Sequence, residues 1–283
     1  MPARSAPTAR QRRLGTEMRR LRQAAGLSVA DAALKLGWDR TRISNIEAGR
    51  TGLSHDSVSS LAGVYQCADR AYVDALGMMA EERGKGWWEE FRGKFDAALL
   101  DLVELEQRAD HLRGTQVTHL PGLLQTESYA RAVLSTDVPA PDPTDLRRKV
   151  SFRMRRRDVL DKEDAPQCTL LIHEAALRLG FGGPAVMREQ LTCILESSER
   201  ENVTIRALPF SLGGLPGIGA SITYVSGAVS QLDTVHFDTP TGVQFLDAPT
   251  ATHKYRSMMD RLEELSLPVE KTRDFVREIS KQL

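Results

Sequence analysis

The chain has 283 residues, enough for two domains at the usual ~100–200 residues each. Its apolar share of 41% and charged share of 27% fit an ordinary soluble globular protein, and no apolar run nears the ~20 residues of a membrane span. The net charge of zero hides an asymmetry: residues 1–50 carry +7 and the remainder −7, which predicts a basic end facing phosphate and an acidic body held off it.

The N-terminus is polar and Arg-rich without an apolar core, so no secretory signal is expected. Cys67, Cys168 and Cys193 are far apart and odd in number, as for reduced thiols in a cytoplasm. Residues 1–9 are rich in Pro, Ala and Ser and are expected to form a disordered tail.

Residues 10–25 read as a first helix with an apolar stripe of Leu14, Met18, Leu21 and Ala25. Arg12, Arg13, Arg19, Arg20 and Arg22 lie around the rest, as phosphate contacts or as a solvated face with a Glu17–Arg20 pair. A second helix is predicted from Ser28, a good N-cap, to Leu36, with Ala32, Ala33 and Leu36 on one face. Gly37 stops it, because only glycine enters the left-handed conformation cheaply. A third helix runs from Asp39 or Arg40 to Ala48. Its apolar residues are Ile43, Ile46 and Ala48, and Arg40, Thr41, Arg42, Ser44 and Asn45 face outward. Small residues at Ala32 and Ala33 allow two helices to cross closely after a short turn. Guanidinium, hydroxyl and amide groups on one outer face suit base edges in the major groove.

The string Ile43, Ser44, Asn45, Ile46, Glu47, Ala48, Gly49, Arg50 resembles the end of the helix-turn-helix pattern of the XRE-type, phage-repressor-like family. That resemblance implies a double-stranded DNA partner and a homodimer on two-fold operators, with half-sites about one helical turn apart. It implies that Arg40, Thr41 and Asn45 face base edges and that Arg42 reads guanine or holds phosphate. Ser28, Arg50 and Thr51 would position the DNA backbone. Val29 stands where the family often has a glutamine that braces against DNA. Glu47 is expected to be structural, pairing with Arg19 or Arg22.

A fourth helix is predicted over 54–66, capped by Ser54, and a fifth over 68–83. Residues 10–83 thus form an all-α, five-helix, lambda-repressor-like domain. Gly84 and Gly86 mark a hinge. Residues 84–110 read as a linker helix interrupted by Gly93, whose Trp87–Leu105 stripe is expected to be packing core or the dimer surface.

From 111 to 283 an α+β domain with a small sheet of four or five strands is expected. PGLLQT (121–126), His173–Leu191 and Asn202–Phe210 resemble an antitoxin-like domain found behind such helix-turn-helix domains in actinobacterial regulators. The resemblance implies an effector or partner domain and carries no catalytic residue. A basic helix over 144–160, with Arg147, Arg148, Lys149, Arg153, Arg155, Arg156 and Arg157, reads as a solvated or ion-paired face. Strands are predicted at 168–173, 203–208, 220–225, 234–237 and 243–246, with a hairpin-like loop at 238–242. Helices are predicted over 185–199, 250–266 and 268–282. The glycine-rich stretch 211–220 lacks the lysine and the following helix of a phosphate loop and reads as a flexible connection between strands.

No metal, cofactor or catalytic constellation is expected, so the chain reads as a cytoplasmic DNA-binding transcriptional regulator and not as an enzyme. The rival readings are an antitoxin-like module that grips a small protein partner, and a small-molecule sensor.

Overall fold

The computed structural model describes residues 7–81, 86–217, 221–239 and 242–283. The chain divides into two units, Met1–Leu105 and Glu106–Leu283. Among the described residues, no helix is long and apolar enough to cross a membrane.

The first unit starts earlier than the expected tail allows. The Thr8 hydroxyl accepts from the Gln11 N–H, and the Gln11 side chain accepts from the Thr8 N–H. This reciprocal cap starts helix α1 at Ala9–Ala24. Residues 1–6, the rest of that tail, lie outside the described residues. Helices α2 (Val29–Leu36), α3 (Arg40–Glu47), α4 (His55–Val64) and α5 (Arg70–Glu81) follow. Met18, Ala32, Ile43, Ile46, Val58, Leu61 and Leu76 are buried and fill the core between them. Ala48, expected among the apolar residues of the third helix, is exposed.

The linker helix expected over 84–110, interrupted by Gly93, breaks around that glycine. Trp87–Phe91 form a 3-10 turn, Gly93 takes a left-handed φ of 79°, and α6 spans Ala97–Gln107. Asp96 accepts from the Ala98 N–H and restarts the helix. Gly84 of the expected hinge lies outside the described residues. Trp88, Leu100, Leu102 and Val103 are buried in the single chain, as in the packing-core reading of this stripe and not the dimer-surface one.

Among its described residues the second unit holds six strands, one more than the upper expectation. They are β1 (His111–Gln116), β2 (Gln167–His173), β3 (Val203–Leu208), β4 (Ile222–Ser226), β5 (Thr234–Thr239) and β6 (Gly242–Leu246). Their spatial order is β3-β2-β1-β4-β5-β6. β3, β2 and β1 are parallel, and β1, β4, β5 and β6 are antiparallel. Parallel neighbours need long crossovers. α7 (Glu127–Leu134) and α8 (Pro143–Arg156) lead from β1 to β2, and α9 (Glu174–Arg178) and α10 (Pro184–Ser197) lead from β2 to β3. α11 (Pro249–Leu265) packs Met259 and Leu262 against Leu171, Leu208, Ile222, Tyr224 and Val235 on one sheet face. α12 (Val269–Lys281) covers the β3 edge, where the Thr272 hydroxyl accepts from the Ala207 N–H.

PGLLQT forms a buried corner. Leu123 and Leu124 are inside, the Gln125 amide donates to Leu120 O at 2.7 Å, and Gln190 receives the Thr126 N–H at 2.7 Å. Of the glycine-rich stretch, Phe210–Leu212 are a 3-10 turn, and residues 218–220 lie outside the described residues, as do Pro240 and Thr241 of the hairpin-like loop.

Candidate nucleic-acid interface

The geometry of α2 and α3 follows from how each helix ends. Ser28 caps α2: its hydroxyl accepts from the Asp31 N–H at 3.1 Å and donates to the Asp31 carboxylate at 2.5 Å. These bonds, with the Ser28 N–H, hold the Asp31 carboxyl below the usual carboxylate range. The Ser28 hydroxyl thus both accepts and donates within the cap. Gly37 enters the left-handed region at φ 65°, and the Trp38 N–H closes back on Ala33 O at 2.9 Å. Val29 sits half-buried at the first position of α2.

α3 presents two unlike sides. Ile43, Ile46 and Glu47 are buried, while Arg40, Thr41, Arg42 and Ser44 are exposed and Asn45 is half-buried. At 3.6 residues per turn, Thr41 and Asn45 line up opposite the buried side with Ser44 beside them. The Arg42 guanidinium carbon lies over the Trp38 indole, 3.7 Å from the ring centre. After α3, Gly49 takes φ 69°, and the Asn45 carbonyl accepts from the Arg50 and Thr51 N–H groups at 2.8 and 3.3 Å. Arg50 and Thr51 are exposed.

Two glycines set α3 against α1. A Cβ on Gly15 would stand 2.5 Å from Ile46 O, and one on Gly49 would stand 2.8 Å from Gln11 O. Backbone thus meets backbone at the C-terminal end of α3, and its outward side chains are presented from a fixed axis. Glu47 locks this contact. It takes Arg22 Nε at 2.5 Å and Nη2 at 2.9 Å, and Arg19 Nε at 3.3 Å. The same Arg22 donates to Leu27 O at 2.7 Å, which ties the approach to α2 into the clamp.

The arginines of α1 divide sharply. Arg13 and Arg22 are buried, which corrects their expected exposure to phosphate: a buried guanidinium is held by carboxylates, here Glu17 and Glu47. Glu17 also accepts from the Tyr72 hydroxyl at 2.6 Å and from Arg20. Arg12 reaches Asp101 at 3.1 Å, and Arg19 stays exposed on the α3 side.

The basic helix α8 is paired more than it is bare. Arg156 makes a two-point contact with the buried Glu106, both bonds at 2.6 Å, Lys149 meets Asp137 at 2.7 Å, and Arg148 meets Asp145. Arg153 and Arg157 donate to the side chain and carbonyl of Gln125, both at 2.9 Å. On β5, His236 is 6% exposed, and neither ring nitrogen meets a hydrogen-bond partner among the described residues. Burial lowers its pKa.

Sequence reasoning missed Gly15 and Trp38. A glycine inside a helical pattern is the signal for the first, and an aromatic four residues before an arginine is the signal for the second.

Residues 13–76 match a family described as a helix-turn-helix domain, and residues 99–278 match one described as a domain of unknown function, DUF5753. No curated protein and no solved structure matches the chain significantly. With that second match spanning more than half of its length, the chain belongs to the DUF5753 family, and it carries a helix-turn-helix domain ahead of it.

Proposed function

We propose that the chain is a cytoplasmic, sequence-specific DNA-binding transcriptional regulator with a lambda-repressor-like head. The first turns of α3 enter the major groove, and Arg40, Thr41 and Asn45 face base edges, joined by Ser44 on the same side. Arg50 and Thr51 hold the phosphate backbone, with the exposed Arg19, held by Glu47, as a further phosphate contact. The second unit senses an effector or a protein partner, and no reaction is assigned to it. The protein works as a homodimer on two half-sites about one helical turn apart.

One observation carries this reading. The side of α3 opposite Ile43, Ile46 and Glu47 holds only polar groups, open to solvent or nearly so, on a helix braced by a buried ion pair. A solvated surface helix needs no such brace, whereas a reading helix needs a fixed axis. Mapping of the genomic sites bound in the source cell, followed by titration of one site with Arg40→Ala, tests it. The expected result is a shared sequence element and a loss of selectivity at one base pair. Binding that follows no sequence, or an Arg40→Ala protein with unchanged affinity and selectivity, would overturn it.

A further inference from the structure

We infer that Arg42 reads a guanine in the DNA site and that Trp38 is the platform that holds its guanidinium for that contact. The inference rests on α3 being the groove-reading helix and deepens that reading. Arg40 and Arg42 are both exposed in the first turn of α3, yet they differ in freedom. Among the described residues Arg40 makes no hydrogen bond or ring contact and feels only the nearby charge of Asp31. The Arg42 guanidinium carbon sits over the Trp38 indole, 3.7 Å from its centre, too close for a guanidinium nitrogen to point into the ring, so the two groups stack.

That contact uses the flat face of the guanidinium and leaves its in-plane N–H groups open. None of them meets an acceptor among the described residues. An arginine that reads guanine needs this state: the O6 and N7 acceptors lie in one plane, and the fork must arrive in that plane. A phosphate can also take a two-point guanidinium contact, so the choice of guanine rests on where α3 holds the fork. Stacking also removes rotamer freedom before binding, so less entropy is lost when the fork engages. The indole sits in the turn just before α3, because helical side chains lean toward the N-terminus. The fork is therefore held at the end of the helix that docks closest to base edges in this fold class.

The test uses the full chain and a pool of randomised duplex DNA. The wild-type protein is expected to select a site with one fixed guanine whose replacement by 7-deazaguanine, which lacks the N7 acceptor, costs about tenfold or more in affinity. Arg42→Lys keeps the charge but not the fork. It is expected to lose the preference at that base pair and to ignore 7-deazaguanine. Trp38→Leu is expected to weaken the same preference while leaving selection at the other positions intact, which also reports that the variant is folded. Full preference at that guanine in Arg42→Lys, or an even loss of affinity on all sequences with a shallower salt dependence in Arg42→Ala, would make Arg42 a phosphate contact and overturn the inference. A Trp38→Leu protein with full preference at that guanine would overturn the platform role. Selection of no sequence by the wild-type protein would instead overturn the groove-reading assignment on which both stand.

Discussion

Arg22 of α1 and Glu47 of α3 form a two-point ion pair with both side chains under a tenth exposed. The carboxylate belongs to the last turn of the proposed reading helix, and the guanidinium also holds Leu27 O just before α2. One pair thus joins three segments of the helix-turn-helix, and its effect is on the direction of α3 more than on net stability. Buried pairs repay their desolvation only when the geometry is good and further hydrogen bonds support it. Here three Arg22 N–H groups have partners, and the pairing raises the Arg22 pKa through the Glu47 hydrogen bonds.

Removing one partner should cost far more than removing both. Glu47→Gln leaves a buried cation without its charge partner and is expected to lower stability by about 3–5 kcal/mol. Glu47→Gln combined with Arg22→Met should recover most of that loss. Urea denaturation of the four proteins of the cycle measures it. A Glu47→Gln protein within about 0.5 kcal/mol of wild type would show that the pair does not brace the fold.

Two helical glycines should respond in opposite ways to the same change. Alanine in an exposed helix interior is favoured over glycine by about 0.5–1 kcal/mol. Gly63 in α4 has open space where a Cβ would go, so Gly63→Ala should stabilise by about that amount. At Gly15 the new Cβ would meet Ile46 O at 2.5 Å and Glu47 O at 2.7 Å, both backbone atoms that cannot swing aside. Gly15→Ala should therefore destabilise by about 1–3 kcal/mol and tilt α3. Thermal unfolding reads the sign, and a stabilised Gly15→Ala protein would contradict the close approach.

The helix-turn-helix was legible because its signals are local. Ser28, Gly37, Ser54 and Gly49 punctuate the chain where the helices begin and end, and Glu47 was expected to meet Arg19 or Arg22. The burial of Arg22 was the harder part. It continues the Leu14–Met18 row at the next i+4 position, but positive charge on a helix reads first as solvated. In the second unit, Val203–Leu208 was found in full, whereas the central strand His111–Gln116 was not. Its sequence, HLRGTQ, has one large apolar residue and a glycine, and β-propensity cannot find such a strand. Its place is set by β2 and β4 on its two sides. A Cβ on Gly114 would stand 3.2 Å from Leu170 Cδ2, so the neighbouring side chain occupies the space that the glycine leaves. The Trp38–Arg42 stack depends on side-chain rotamers, which periodicity does not encode.

Mild acid should weaken the protein through His236. Burial lowers its pKa from the ordinary value of 6.5; nearby Glu106 and Asp238 oppose that shift, and Arg156 adds to it. His119 is lowered by burial and by Arg153. A lowered folded pKa means that the unfolded chain binds the proton first. The stabilisation from the neutral ring is complete above the unfolded value and is lost as pH falls below about 6.5. The slope is at most about 1.4 kcal/mol per pH unit for one proton. Carboxylates stay largely ionised to about pH 5, so the interval between pH 7 and 5.5 isolates the imidazoles. Melting temperatures across that interval should fall, and His236→Phe should flatten the fall. An equal pH dependence in wild type and His236→Phe would remove His236 as its source.

Salt dependence separates the two roles given to the arginines around α3. Arg50 is exposed in the turn that follows the helix, with its own N–H tied to Asn45 O, so its side chain starts from a fixed backbone. A phosphate contact releases condensed counterions when it forms, and each one contributes about 0.9 to the slope of log affinity against log salt. Arg50→Ala should lower affinity evenly for matched and mismatched duplexes and reduce that slope by about one contact. Arg40→Ala should cost about 1–3 kcal/mol at one base pair and little elsewhere. Titrations at several salt concentrations, on a selected site and on a scrambled duplex, measure both variants at once. If Arg50→Ala altered selectivity while Arg40→Ala altered only the slope, the two assignments would exchange, and the reading edge of α3 would lie at its C-terminal end, beside the Glu47 clamp.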